Sequence, residues 1–350
     1  MSDKIRLGFV GVGGMGQCAH LRNYASLDGC EVVALAELRP GLRRKVAAKY
    51  GVPQVYPDHR EMLADERLDA IVASQPFRRH GVLLPELLAA GLPVFSEKPL
   101  AGCIEAGEKI VAAAQSGGWL MLGYHKRSDP ATMYAKVEID RLKASGDLGA
   151  IKYVRILMPA GEWIAGGFFD LVRTDEPYPK LDQEPPASDM DDETFQAYIA
   201  FVNYYIHQVN LMRHLLGESY EVTHADPSGV LLVGRSESGV CCTIEMSPYQ
   251  TTVGWQESAL VCFEKGYVKL DLPAPMVLNR PGRVEILRDP GGGATPETVV
   301  PQVPQVHAMR QQAVKFLAAV RGEMPPMTHA AEALEDLRVA REYIRLWKGV

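Results

Sequence analysis

The stretch Ile5-Arg6-Leu7-Gly8-Phe9-Val10-Gly11-Val12-Gly13-Gly14-Met15-Gly16 decides the fold. Its first half is an apolar run of strand length, and an amphipathic pattern over 14–27 reads as the helix that follows. Between them, Gly11 to Gly16 fits G-x-G-x-x-G. Gly11 permits the tight turn, Gly13 lets backbone approach a pyrophosphate, and Gly16 lets helix pack on strand. The N–H groups and partial positive charge of the helix N-terminus then face the anion. Glycine-rich turns also arise for steric reasons, so the motif counts here because of its context. Glu37 lies 21 residues beyond Gly16, at the end of the next apolar run 31–36. That spacing suits a ligand of a ribose hydroxyl. A carboxylate there repels a 2′-phosphate and favours NAD. Arg39 keeps NADP as the alternative, because a guanidinium two residues on can grip that phosphate.

Outward from this unit, strands over 70–73, 93–95 and 120–122 alternate with helices over 42–50, 61–64, 81–90 and 104–115. Short, continuously apolar strands separated by helices imply a parallel sheet covered on both faces, an α/β doubly wound Rossmann architecture. The rhythm changes after Gly123, which sets expected domains of 1–123 for the dinucleotide and 124–350 for the rest. A helix is expected over 132–145 and a strand over 151–158. Residues 159–195 look irregular, with Gly166-Gly167, Pro185-Pro186 and the acidic run 189–193, and a loop of that length is uncommon unless functional or mobile. Strand pairs 230–235/240–246 and 258–264/267–272 read as an antiparallel meander. Helices over 306–320 and 329–347 close the chain, with the option of packing back on the first domain.

With 37 basic and 43 acidic residues the net charge is −6, which gives no electrostatic reason to bind nucleic acid or an anionic membrane. Six cysteines without a Cys-x-x-Cys pair read as reduced. The polar start Met1-Ser2-Asp3-Lys4 precedes no cleavable apolar region, and no run approaches the ~20 apolar residues of a membrane helix. A cytoplasmic location is the expectation. The histidines lack ligand spacing with cysteines, so no metal is expected.

Glu97-Lys98-Pro99 follows the strand 93–95, at the sheet edge where doubly wound proteins bind ligands. Lys98 is either an exposed Lys-Pro turn or a cation aimed at a substrate oxygen, and composition leaves both open. On the helix around 203–217, Asn203 and His207 share a face. His207 has the pKa range for proton transfer near neutrality, yet on the segment alone a packed histidine in an amphipathic helix is the better fit. His214 reads as structural or exposed.

The Gly11–Gly16 loop, Glu97-Lys98-Pro99-Leu100-Ala101, Ala89-Ala90-Gly91-Leu92-Pro93-Val94, Gly123-Tyr124-His125-Lys126-Arg127 and Ser145-Gly146-Asp147-Leu148-Gly149 together resemble the glucose–fructose oxidoreductase/inositol dehydrogenase/MocA family. The resemblance spans most of 5–158, plus 203–217. It implies a C-terminal α+β domain with an open, mostly antiparallel sheet that assembles homodimers or homotetramers. It also implies a cofactor site formed by Gly11, Gly13, Gly14, Met15, Gly16, Glu37, Arg39, Ser74, Pro76, Glu97 and Lys98. Catalysis falls to Lys98 and His207, with Asn203, Asn210, Tyr124, His125 and Trp163 toward a sugar-like substrate. The chain departs from the family pattern at Asn203 and Asn210, where Asp is usual, and an amide brings no charge to an imidazolium. Trp163, Phe168, Phe169 and Tyr178 in the irregular stretch are expected either to stack on a sugar face or to form a surface loop.

The resulting expectation is an NAD(P)-dependent sugar or cyclitol dehydrogenase. Two alternatives stay open: a glycoside hydrolase or lyase that uses bound NAD for transient oxidation, and a non-catalytic dinucleotide-binding sensor.

Overall fold

A computed structural model describes residues 4–349. Chain contacts divide it into two units, of which the first comprises 4–124, 166–191 and 309–337. Its six strands are β1 (Ile5–Val10), β2 (Cys30–Ala36), β3 (Gln54–Tyr56), β4 (Ala70–Ala73), β5 (Val94–Ser96) and β6 (Leu120–Leu122), all parallel and ordered β3-β2-β1-β4-β5-β6. β4, β5 and β6 are buried along their whole length, as the continuous apolar runs require of a sheet covered on both faces. The strand order reverses between β1 and β4, which opens a crevice at their carboxyl ends.

The helices are α1 (Arg22–Tyr24), α2 (Pro40–Tyr50), α3 (His59–Asp65), α4 (His80–Leu88) and α5 (Ile104–Ser116). The first expected helix is realised as a π-wound turn, Gly16–Leu21, running into the short α1. From that turn Gln17 and His20 are both buried. β3 escapes the sequence pattern because it is a three-residue strand with only Tyr56 buried.

The second unit comprises 125–165, 192–308 and 338–349. It contains α6 (Pro130–Ser145), β7 (Ile151–Ala160), α7 (Asp192–Leu216) and strands β8 (Tyr220–Ala225), β9 (Leu231–Ser236), β10 (Cys241–Gln250), β11 (Glu257–Phe263), β12 (Gly266–Leu272), β13 (Arg283–Arg288) and β14 (Glu297–Val299). These form one sheet ordered β14-β13-β12-β11-β7-β10-β9-β8, antiparallel except where β7 meets β10. The expected meander is therefore interrupted: β10 and β11 are not neighbours, because β7 pairs with both. Along β7, Val154, Ile156 and Met158 are buried, and the Tyr153 hydroxyl meets Thr243 Oγ1 across the β10 pairing at 2.6 Å. α6 and α7 pack against this sheet.

α7 begins at Asp192, so the end of the stretch expected to be irregular is helical. Asp192 and Glu193 occupy its first turn, where negative charge complements the helix dipole. Helix α8 (Ala308–Val320) sends Phe316 into the core of the first unit, edge-on to Tyr24, Phe95 and Trp119 at 5.7–6.3 Å. α9 (Ala330–Lys348) ends the chain. All six cysteines are free, with Cys241 exposed and its neighbour Cys242 buried.

Candidate active site

The crevice at the carboxyl ends of β1 and β4 has a volume of about 190 Å3, and Gly11, Gly13, Glu37, Arg39, Ser74 and Tyr178 are among its lining residues. The three glycines divide the work in the way their spacing suggests. Gly11 has φ +90°, and a Cβ there would collide with the Gln75 side chain and the Ser74 carbonyl. A Cβ on Gly16 would stand 2.5 Å from the Gly11 carbonyl, which fixes the close packing of helix on strand. At Gly13 nothing lies within 4 Å of the Cβ position, so bare backbone faces open space where a pyrophosphate needs to approach. These residues fit a dinucleotide. Gly14 and Met15 are already helical and do not line the crevice, and Ser74 with Gln75 lines it rather than Pro76.

Glu37 is 7 % exposed and uses both carboxylate oxygens. Oε2 accepts from Val12 N at 3.2 Å and from Arg39 Nη2 at 3.2 Å, while Oε1 accepts from Arg39 N at 3.1 Å and Arg39 Nε at 2.8 Å. Arg39 is thus held as a fork on Glu37, and that hydrogen-bonded pairing raises its pKa.

The Glu97-Lys98-Pro99 turn is braced from two sides. His20 Nε2 meets Glu97 Oε1 at 2.6 Å, and Lys98 N donates to Glu97 Oε2 at 3.2 Å. Burial pushes the Glu97 pKa up, but the hydrogen bond and charge of His20, with the charge of Lys98, outweigh it and leave the pKa lowered. His80 is fully buried and its Nδ1 lies 2.9 Å from Pro99 O. Burial lowers its pKa, so the ring is neutral and Nδ1–H donates. The Lys98–Pro99 peptide is cis, and Lys98 is half-buried at this turn. Neither bracing histidine was foreseen from the sequence. Each lies in a helical segment where an imidazole has no distinguishing neighbour pattern.

In the second unit, the rings of His125 and His207 lie edge to face with centroids 4.5 Å apart. Asn210, one turn beyond His207 on α7, is buried and accepts from Arg127 Nε at 2.7 Å through Oδ1. Asn203, one turn before, is exposed. Next to His125, Lys126 forms a buried ion pair with Glu257. Glu257 also accepts from Gln208 Nε2 at 2.7 Å and Trp255 Nε1 at 3.2 Å, and this network was not foreseen either. His214 is neutral: burial, then the charges of Arg127, Lys136 and Arg213, take its pKa well below the usual range.

The stretch expected to be one irregular insertion belongs to both units. Trp163 lies in the second, 37 % exposed, with its carbonyl accepting from Met276 N. Residues 166–191 belong to the first. There Phe169 lies against Arg22 and Tyr178 against Arg39. Tyr124 is buried at the end of the first unit, its N–H donating to Leu122 O.

Residues 5–124 match the oxidoreductase family with an NAD-binding Rossmann fold. An inositol 2-dehydrogenase from Burkholderia lata is 27 % identical over 304 residues, covering 81 % of this chain and 80 % of that protein. Among solved structures, the myo-inositol dehydrogenase of Lactobacillus casei in complex with NAD(H) and myo-inositol superposes with a TM-score of 0.68 at 21 % identity, covering 99 % of this chain and 95 % of that one. A 3-ketoreductase from Actinomadura kijaniata in complex with TDP-benzene and NADP gives a TM-score of 0.68 at 16 % identity, covering 97 % and 96 %. Such structural likenesses speak for the fold, and together with the glycine loop the matched residues 5–124 form an NAD-binding Rossmann domain similar to that of the oxidoreductase family.

Proposed function

We propose that this oxidoreductase is an NAD-dependent dehydrogenase acting on a secondary alcohol, or the corresponding ketone, of a sugar, cyclitol or glycoside. The observation that carries the cofactor half is the end of β2, where Glu37 presents a buried carboxylate and holds Arg39 against itself. A 2′-hydroxyl finds an acceptor there, whereas a 2′-phosphate finds a negative charge and a guanidinium already engaged. Bound NAD supplies the hydride acceptor. In this proposal Lys98 offers a hydrogen bond and positive charge to the substrate oxygen, and His207 takes the hydroxyl proton.

The polyol half is supported by the polar groups around α7 and by similarity to inositol dehydrogenases. A substrate dense in hydroxyls needs many fixed donors and acceptors, and Tyr124, His125, Asn203, Asn210 and Trp163 are the candidates. Asn210 is buried and its oxygen accepts from Arg127. Assembly into dimers or tetramers through the second-unit sheet and a cytoplasmic working place belong to the same proposal. Among the described residues no helix is long and apolar enough to cross a membrane.

The test is reduction of NAD and NADP across a panel of monosaccharides, cyclitols and glycosides, with Lys98→Ala and His207→Ala alongside. Substrate-dependent NADH formation that both substitutions abolish is the expected result. Binding of NAD or NADP without its reduction by any panel member would overturn the dehydrogenase reading.

A further inference from the structure

Residues 166–191 run as a strap across the first unit, and their fastenings trace its path. Arg22 donates to Gly167 O at 2.9 Å, and Asp170 is paired with both Arg22 and Lys49. Gln17 clips the strap at Val172 in both directions, accepting from Val172 N at 3.0 Å and donating to Val172 O at 3.1 Å. Glu176 then supplies what α2 lacks. The N-cap residue Arg39 makes no side-chain cap, and Glu176 accepts from Gly41 N at 2.7 Å and Leu42 N at 2.8 Å instead. Past the crevice, Glu184 N donates to Arg78 O at 2.8 Å, and buried Glu184 Oε1 accepts from Gly102 N at 2.7 Å. The strap is therefore pinned on the β2 side by Glu176 and on the β4–β5 side by Glu184.

Between those pins lie Tyr178, Pro179 and Leu181, all three of which line the crevice. Tyr178 sits over the Arg39 guanidinium at 5.1 Å yet remains 62 % exposed. A large aromatic ring fixed on one side and open on the other, at the mouth of a crevice, is a stacking platform. On the proposed nucleotide reading the adenosine ribose lies at Glu37, and the base attached to it is the planar group within reach of Arg39 and its neighbours.

We propose that Tyr178 is an adenine-binding residue and that the strap between Glu176 and Glu184 is a clamp over the adenosine half of the dinucleotide. The inference rests on the nucleotide reading of the crevice. It goes beyond that reading in assigning binding and retention of the cofactor to a segment distant in sequence from the glycine loop. Because the strap spans the crevice, release of the dinucleotide requires one of its pins to open.

The test uses the intact protein with NADH, ADP-ribose and nicotinamide mononucleotide as probes. Tyr178→Ala is expected to raise the dissociation constants of NADH and ADP-ribose by roughly tenfold, the scale of a lost base–aromatic stack. The mononucleotide, which has no adenine, is expected to bind unchanged, and Tyr178→Phe is expected to retain affinity. Glu184→Ala is expected to accelerate NADH dissociation, measured by rapid displacement, by a similar factor. If wild-type protein binds no NADH, the nucleotide reading falls and this inference with it. If wild-type protein binds NADH and Tyr178→Ala binds it as tightly, or weakens the mononucleotide equally, only the clamp is overturned.

Discussion

Replacing Glu37 with Gln isolates the charge that, in the proposed function, sets cofactor choice. The carboxylate makes four contacts, to Val12 N, Arg39 N, Arg39 Nε and Arg39 Nη2 at 2.8–3.2 Å. The amide keeps a similar shape and one acceptor oxygen, so the loop stays supported while the charge goes. For NAD the loss is one charge-assisted hydrogen bond to the ribose becoming neutral, about 1–2 kcal/mol, or roughly tenfold in affinity. For NADP the change has the opposite sign. A phosphate charge about 4 Å from a carboxylate is repelled by about 4 kcal/mol at an effective dielectric constant of about 20. Halved for solvent at the crevice mouth, removing that repulsion gains about 2 kcal/mol, or roughly thirtyfold. Arg39, no longer forked on a carboxylate, is then available to the phosphate. Together the NADP-to-NAD preference shifts by about two orders of magnitude. Titration of NADH and NADPH fluorescence with wild type, Glu37→Gln and Glu37→Gln/Arg39→Ala measures it. The double variant is expected to lose most of the NADPH gain. A preference ratio in Glu37→Gln within threefold of wild type would refute the reasoning.

Three further outcomes follow from buried groups. His80→Leu removes the donor to Pro99 O and is expected to lower unfolding stability by roughly 1–3 kcal/mol; an unchanged urea midpoint would show that the turn does not depend on it. Lys126→Met leaves the Glu257 charge buried without its cation, at a cost of roughly 3–5 kcal/mol, and adding Glu257→Leu is expected to restore most of it. Denaturation of the single and double variants that fall equally would contradict this. Glu184 is pushed up from 4.5 to about 7 by burial, against the opposing Gly102 N–H and the Arg78 charge. The native state then holds the proton more tightly than the unfolded chain. Its contribution to stability is fullest below the unfolded pKa and is lost as pH rises through about 7, by about 3 kcal/mol in total. Glu184→Gln is expected to flatten that decline, and a pH–stability curve identical to wild type would exclude it.

How much of this was legible in the sequence depends on how local each cause is. β1, the glycine loop and Glu37 are specified by adjacent residues: an apolar run, a turn that only glycine fits, and an acid at the next strand end. β4 and β6 were legible to the residue, because buried parallel strands are written as unbroken apolar runs. The place of β7 between β10 and β11 was not, since alternation says which face is buried but not which strand is the partner. His20 and His80 were passed over for a related reason. What makes each of them part of the Glu-Lys-Pro turn is a partner distant in sequence, Glu97 for one and Pro99 for the other.

Arg39 shows the same limit at the level of chemistry. As a residue type it argues for a 2′-phosphate, and Glu37 argues against one, so the sequence holds two opposed signals. Geometry turns them into one. The guanidinium is short of a partner only if the carboxylate points away, and here it points at Arg39 with both oxygens, while Tyr178 covers the guanidinium from the strap. In the proposed function, an arginine committed on its edge to a carboxylate and on its face to a phenol ring serves as a platform rather than a phosphate ligand. The proposed clamp thus bears on cofactor choice as well as retention. It follows that Tyr178→Ala in the Glu37→Gln background should raise NADPH affinity above that of Glu37→Gln alone if the freed guanidinium must turn to reach the phosphate. It should lower that affinity, as it does for NADH, if stacking on adenine dominates. The clamp requires the second outcome, because Arg39 without Tyr178 still lacks a surface for the base.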